Sequence, residues 1–506
     1  MIDTMSRTRR WAAVAVLTAS LLVITMDMTI LNIALPQMAG ELHPSSDQQL
    51  WIVDVYSLVL AGLLVSWAAI GDRWGRKRML LLGYSIFAVA SLLVLFANDA
   101  ETVIAIRAFL GVGGAMIMPT TLSLIRVIFT DPAERATALS IWAAVSGLGV
   151  AIGPLMGGFL LEHLSWHAAF LVNVPLMLVG VIAGLLILPE SRVPNPGRWD
   201  ALAAVLSLIG MVALVWAIKK FGRESSFATP EGWVAALVAV VALGWFVLRC
   251  LRSRDPLLDL RLFRSRVFSS GIIAALGSTF GMMAALLLLA QWLQLVEGAS
   301  PVKAGVQLIP VALGAAVSSI AAPPLARLIG AREVLAGGLV LAGAGMLAMG
   351  LRPGTLDLTT VIIGLALVGA GVGSLAIGSA MIMMGSPEEK AGNAGALEET
   401  TYELGAALGV AVLGSISALI YRAELTAESA QQAVDPTLLA QAEESLGAAI
   451  EIAERSNLPE LAHEAGVAFT HSMQVTGLVG GVIMLVAAAV VFVLTPKGTD
   501  VSQAPH

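Results

Sequence analysis

A run of about 20 largely apolar residues is long enough to cross a bilayer as a helix. This chain holds fourteen such runs: 11–35, 50–70, 79–97, 102–128, 139–161, 168–188, 201–218, 232–250, 268–290, 304–325, 331–350, 358–384, 396–420 and 467–494. With 58% of the 506 residues hydrophobic and 13% charged, no soluble domain could hide that much apolar surface. The fold class is therefore an all-α polytopic membrane protein. Arg7, Arg9 and Arg10 followed by Trp11 imitate the start of a signal peptide, but the run continues to Leu35, too long for a signal core. The single Cys250 excludes an intrachain disulfide and a cysteine-based metal cluster.

Charge placement orients the bundle. The stretch GDRWGRKR, Gly71 to Arg78, packs one acid and four bases between the second and third runs. Basic loops stay cytoplasmic. An even number of spans with the N-terminus inside puts 21 Lys and Arg on cytoplasmic segments and 7 outside, with Arg107 alone assigned to a span interior. Both termini are thus expected in the cytoplasm, in a multi-pass plasma (inner) membrane protein. Lys219, Lys220 and Arg223 are the one local exception.

A weak internal repeat suggests how the spans are grouped. Ala326 to Arg332, ARLIGAR, resembles the Gly71–Arg78 loop, with Gly330 matching Gly75 and Arg327 standing where Asp72 stood. Repeated loops between corresponding helices imply two six-helix bundles, expected at 1–198 and 267–506. Two inserted helices and a basic cytoplasmic linker then fill 199–266. The polar, Ala- and Glu-rich stretch 421–466 is expected as an extracellular loop with one or two helices in water.

Charged groups inside spans carry the chemistry. An ionised Asp at the bilayer centre costs roughly 2.5–3.5 kcal/mol even on a forgiving scale. Asp27, in the first span, is tolerated if it faces a wet cavity, pairs with a base or stays protonated, so it suits a proton carrier or a counter-charge for a cationic ligand; an interfacial acid is the plainer alternative. Asp54 follows Trp51 by three residues and precedes Tyr56 in WIVDVYSL. An acid beside aromatic rings binds organic cations by charge and cation-π contact, though an interfacial belt gives the same pattern. Arg107 needs a carboxylate or a water-filled route, and Asp27 is the first partner to expect. Glu398, Glu399 and Glu403 open the thirteenth span; Glu399 and Glu403 share one helical face, Glu398 and Tyr402 another. They suit cation binding or proton relay unless the span begins later and leaves them in water.

Gly149, Gly153 and Gly157 recur every four residues in the fifth span, which permits close helix approach, and Pro154 permits a bend. This reads as a mechanical interface about which the halves rock. His163 and His167 with Glu162 do not form HExxH, so no metal site is expected. There is no P-loop, nucleophile triad or paired-metal signature, so neither ATP nor an enzymatic reaction is indicated.

These residues resemble the major facilitator superfamily, and within it the fourteen-span drug:proton antiporters. Gly71 to Arg78 matches the loop between spans two and three, with Ala68 replacing the leading Gly. Arg107 with Gly111, Gly113 and Gly114 resembles the fourth-span motif tied to proton transfer. Gly149-x-x-x-Gly153-Pro154-x-x-Gly157-Gly158 matches the fifth-span exporter motif, and Asp27 to Pro36 the first-span motif of the branch. The resemblance implies a major facilitator fold with two extra helices and proton-coupled efflux by alternating access, with no cofactor. It implies small-molecule drugs and dyes as partners, amphipathic and mainly cationic (dyes, quaternary ammonium compounds, fluoroquinolones), together with protons and membrane lipids, and no nucleic acid; a monomer is expected. Asp27, Arg107, Glu399 and Glu403 would couple protons. Asp27, Asp54, Tyr56, Glu398, Glu399 and Tyr402 would bind substrate. Asp72, Arg73, Gly75, Arg76, Gly149, Gly153, Pro154 and Gly157 would gate, with Asp72 and its bases latching the cytoplasmic side in one state. An exporter of one endogenous solute, such as a lipid precursor or siderophore, is the alternative.

Overall fold

The structure is a computed structural model, described here for residues 5–129, 131–192, 199–224, 230–253, 256–352, 356–386, 391–429 and 436–499. All its regular elements among these residues are helical. In chain order they are α1 (Arg7–Leu42), α2 (Ser46–Trp74), α3 (Arg76–Leu93), α4 (Ala100–Ile128), α5 (Pro132–His163), α6 (Ala168–Leu171), α7 (Asn173–Ile187), α8 (Ala201–Glu224) and α9 (Pro230–Arg252). Then follow α10 (Arg266–Gln291), α11 (Pro301–Ile329), α12 (Ala331–Gly350), α13 (Leu358–Gly373), α14 (Leu375–Met384), α15 (Ala391–Ser429), α16 (Pro436–Ala442), α17 (Leu446–Ser456) and α18 (Pro459–Leu494). Hydrocarbon offers no partner to a free amide, so each apolar run closes its hydrogen bonds internally. Side chains close the helix starts: Ser45 and Gln48 form a capping box on α2, and Asp99 and Ser300 accept the amides of Thr102 and Lys303 on α4 and α11.

Among the described residues thirteen helices are long and apolar enough to cross a membrane. They match thirteen of the fourteen predicted spans. The remaining one, 139–161, falls in α5, where several side chains lie outside the described residues. This is a multi-pass membrane protein. The end of the bundle that carries Gly71–Arg78 is termed the basic face below, and the other end the far face.

The helices pack in two groups. In one, α1 lies on α5 and α7, α2 on α4, and α3 on α4 and α7. In the other, α10 packs on α14, α15 and α18, α11 on α13, and α12 on α13 and α18. The two turns singled out as a repeat share one geometry. Gly75 (φ 127°) joins α2 to α3 and Gly330 (φ 107°) joins α11 to α12. Each amide bonds four residues back, to Gly71 and Ala326. Left-handed φ is costly for any residue with a Cβ, so the glycine survives where the charges of the repeat did not.

The groups touch through α11 on α5 and α15 on α2. Gly158 of α5 abuts Pro301 and Val302 of α11, and Gly305 abuts the Pro154 carbonyl. Gly414 of α15 meets Leu50 of α2, and Gln294 Nε2 donates to the Ile33 carbonyl at 3.2 Å. The three-glycine stripe does something different from the expected rocking interface. Gly149 lies over Thr25, Gly153 over Thr29 and Gly157 over Ile30, all on α1, so the stripe seals a seam within its own group. The cross-group contact belongs to Pro154 and Gly158.

The inserted pair α8 and α9 is also placed. Met211 and Val215 of α8 form one apolar cluster with Leu58 and Ala61 of α2 and Ala407 and Ala411 of α15. α8 therefore plugs the seam where the two groups meet. The expected loop at 421–466 is largely helical: α15 runs on to Ser429 and α18 starts at Pro459, with α16 and α17 between; 430–435 lies outside the described residues. α17 buries Leu446, Ala449 and Ala453 toward the bundle, Tyr421 Oη donates to the Ala442 carbonyl at 3.1 Å, and Glu451 pairs with His43 at 2.8 Å.

Candidate functional site

Four helices converge near mid-membrane. Asp27 sits on α1 between Thr25 and Thr29, whose hydroxyls bond back to carbonyls of their own helix, leaving the carboxylate as the open polar group of that turn. Arg107 reaches it from α4, with Nη1 2.6 Å from Oδ2. The other oxygen accepts from Asn173 Nδ2 of α7 at 2.7 Å. Arg107 Nε donates to the Ile52 carbonyl of α2 at 3.2 Å, and its guanidinium lies 4.5 Å from the Tyr56 ring centroid. Asp27 and Arg107 are each 1% exposed. Two charges so far from water persist only when paired and hydrogen-bonded, and these are.

Tyr56 was expected to bind substrate. It is fully buried, under Arg107 and edge-on to Phe87, and so supports the arginine. Glycines make the room: a Cβ at Gly111 would strike the Tyr56 carbonyl, and one at Gly114 the Tyr56 hydroxyl at 3.0 Å. The fourth-span glycines thus let α4 press against α2 deeply enough for Arg107 to reach Asp27.

The thirteenth-span acids, on α15, divide. Glu403 is buried, within electrostatic reach of the Arg107 guanidinium. It therefore joins the Asp27 site from the opposite group of helices. Glu398 accepts from Tyr402 Oη at 2.7 Å and from Ser379 Oγ of α14, with Arg126 of α4 close enough to attract it. Glu399 is half-buried, one turn from Glu403, and has no ion-pair partner among the described residues. A narrow cavity lies at this junction, lined by Met28, Asp54, Ser57, Arg107, Met283 and Ala406 among others.

Asp54 departs from expectation. It is 1% exposed, and Lys219 of α8 lies 2.9 Å from its Oδ2. The Lys219 Nζ stands 4.2 Å from the Trp51 ring centroid. Arg107 is therefore not the only base within a span. Lys219, read as an outer-loop residue, is 1% exposed in the continuation of α8. The span ended too early because hydropathy falls at Lys219-Lys220; the four-residue spacing Met211, Val215, Lys219 along the apolar face of α8 was the available signal. Asn173 was missed too, although a lone Asn inside an apolar run is itself a cue.

The gating loop is tied to its own group. Asp72 Oδ1 accepts from Arg76 Nε at 2.8 Å. The Arg76 amide donates to the Ser191 carbonyl at 2.9 Å, and Lys77 Nζ to the Leu188 carbonyl at 2.9 Å. Arg78 stands 3.7 Å from Glu190, and Arg73 is half-buried. Here the loop clamps α2 and α3 onto the end of α7; the bonds described for it do not cross to the other group.

Comparisons with known proteins agree with this architecture. The chain is 40% identical to the multidrug efflux pump LfrA of Mycolicibacterium smegmatis over 494 residues, which cover 96% of this chain and 97% of that protein. It is 33% identical to the methyl viologen resistance protein SmvA of Salmonella typhimurium, covering 96% and 98%. It is 31% identical to the tetracenomycin C resistance and export protein of Streptomyces glaucescens, covering 99% and 94%. Among solved structures, a bacterial homolog of the human lysosomal transporter Spinster, inward-facing and unoccupied, superposes with a TM-score of 0.67 at 19% identity, covering 97% and 98%. The family model for the Major Facilitator Superfamily matches residues 17–410, and the chain belongs to that superfamily.

Proposed function

We propose that this protein is a proton-coupled multidrug efflux transporter that exports amphipathic, mainly cationic compounds by alternating access. The names of its relatives, a multidrug efflux pump, a methyl viologen resistance protein and a tetracenomycin C export protein, support the export of drugs. The observation that carries the coupling is the buried Asp27–Arg107 pair, with Glu403 of the other helix group within electrostatic reach of the same guanidinium. A proton on Asp27 cancels its attraction for Arg107. The guanidinium then turns to the remaining carboxylate, Glu403, and the balance of contacts between the groups changes. A cationic substrate competes with the proton for the same carboxylates, so uptake of one favours release of the other.

On this reading the bundles 1–198 and 267–506 rock about their contacts, with the basic face in the cytoplasm, both termini inside, and the protein in the plasma membrane. A single charge crossing 100 mV supplies about 2.3 kcal/mol, enough for roughly fifty-fold accumulation. Substrate would contact Glu398, Glu399 and Tyr402 as well as Asp27, and the protein acts as a monomer. The test is ethidium export from cells expressing the protein, with and without a protonophore. Export should collapse when the proton gradient does; export that survives uncoupling removes proton coupling from the account.

A further inference from the structure

The mechanism above leaves Lys219 unused, yet its environment is built. An acid and an indole face around a cation are the chemistry by which proteins hold organic ammonium groups. In this structure the ammonium between Asp54 (2.9 Å) and Trp51 (4.2 Å) is the chain's own, carried by α8. Both charges are at most 1% exposed. Among the described residues neither has a further hydrogen-bonding partner, although Lys has three donors and a carboxylate about four acceptor positions. Such a pair is held by its own contact and the Trp51 face, without the second partner that Asn173 gives Asp27. Asp54 also lines the cavity that Ser57 and Arg107 share, so the group Lys219 neutralises borders the proposed substrate route. Asp47, in the first turn of α2, is a further charge that acts on the pair, and Arg107 shares the cavity that Asp54 lines.

We propose that Lys219 is a specificity-determining residue: its ammonium occupies, in place of a substrate's cationic group, a second cation subsite formed by Asp54 and Trp51, and so confines strong binding to compounds with one cationic centre. With Arg107 on Asp27 and Lys219 on Asp54, Glu398, Glu399 and Glu403 are, among the described residues, the acids of this region without a base in ion-pair contact. All three lie within two turns of α15, too close together to serve both ends of an extended dication. Freeing Asp54 adds an acid on a different helix. The inference rests on the efflux reading above.

The test uses the purified full chain in proteoliposomes with an imposed proton gradient, and compares an alkane bis(trimethylammonium) with the mono-quaternary compound of equal chain length. Lys219→Met should raise the ratio of dication to monocation transport by at least about fivefold, the scale of one added ion pair. Lys219→Met combined with Asp54→Asn should return the ratio to the wild-type value. An unchanged ratio in Lys219→Met, or a raised one that persists in the double variant, overturns the proposal. Lys219→Gln is the second variant; if no neutral residue at 219 yields inserted protein, the pair is structural alone and the proposal falls. Wild-type monocation transport is read in the same vesicles: its absence removes the efflux reading, whereas its presence with an unchanged ratio removes only the role of Lys219.

Discussion

Asp27 has two partners with different consequences. Arg107 answers its charge and Asn173 its second oxygen. Removing one member of a buried pair strands the other, at a cost of about 3–5 kcal/mol. Asp27→Asn keeps the shape and strands Arg107, so it should lower thermal stability of the purified protein and abolish proton-coupled ethidium export. Asn173→Ala removes only a neutral donor; a loss of about 1–2 kcal/mol is expected, with export slowed but still sensitive to protonophore. Melting curves and dye-efflux rates of the two variants separate the roles. Unchanged, protonophore-sensitive export by Asp27→Asn would withdraw Asp27 from coupling.

At the scale of the element, the α1–α5 seam depends on the absence of side chains. A Cβ at Gly153 would collide with Thr29 and the Met26 carbonyl, so Gly153→Val should destabilise by about 1–3 kcal/mol and pull α1, with Asp27, out of line. Gly244→Ala is the matched control: nothing lies within 4 Å of its added carbon, and its melting temperature should hold or rise slightly. A second element test concerns the α8–α9 hairpin. Asp200, just ahead of α8, receives Arg249 Nε of α9 at 2.5 Å. Burial works to raise its carboxyl, but the bonds from Arg249 and the Ala203 amide hold it below the usual carboxylate range. A depressed acid contributes stability above its unfolded value, about pH 4, and loses it as pH falls further. Arg249 is well exposed, so the contribution is small. Asp200→Asn should lower the melting temperature slightly at pH 7 and flatten its fall between about pH 4 and 3.

For the whole molecule, the helix groups meet at the far face through Gly158 on Pro301 and Gly414 on Leu50, and the basic loop is anchored within its own group. On the proposed alternating-access cycle, transport requires that these far-face contacts part. A Cβ at Gly414 would stand 3.7 Å from Leu50 Cγ. With Cys250 buried, Leu50→Cys with Gly414→Cys can be bridged by a short thiol cross-linker with little background. Cross-linking should halt dye export and reduction should restore it; continued export by the cross-linked protein would mean that the groups need not separate there.

The sequence by itself determined which segments enter the membrane, because apolar length and the siting of bases are local properties that lipid reads directly. It also identified the carboxylates and Arg107, since a charge inside an apolar run is conspicuous wherever the run ends up. Tertiary structure decided what each charge meets. Asp54 and Lys219 stand 165 residues apart in a chain whose local pattern placed one in a span and the other in water. Only packing of α8 across the α2–α15 seam turns them into a pair. The glycine stripe likewise announced a close contact but not its partner, because a bare helix face accepts whichever neighbour the bundle presents. Pair energies depend on distance and burial, and neither exists until the helices have packed.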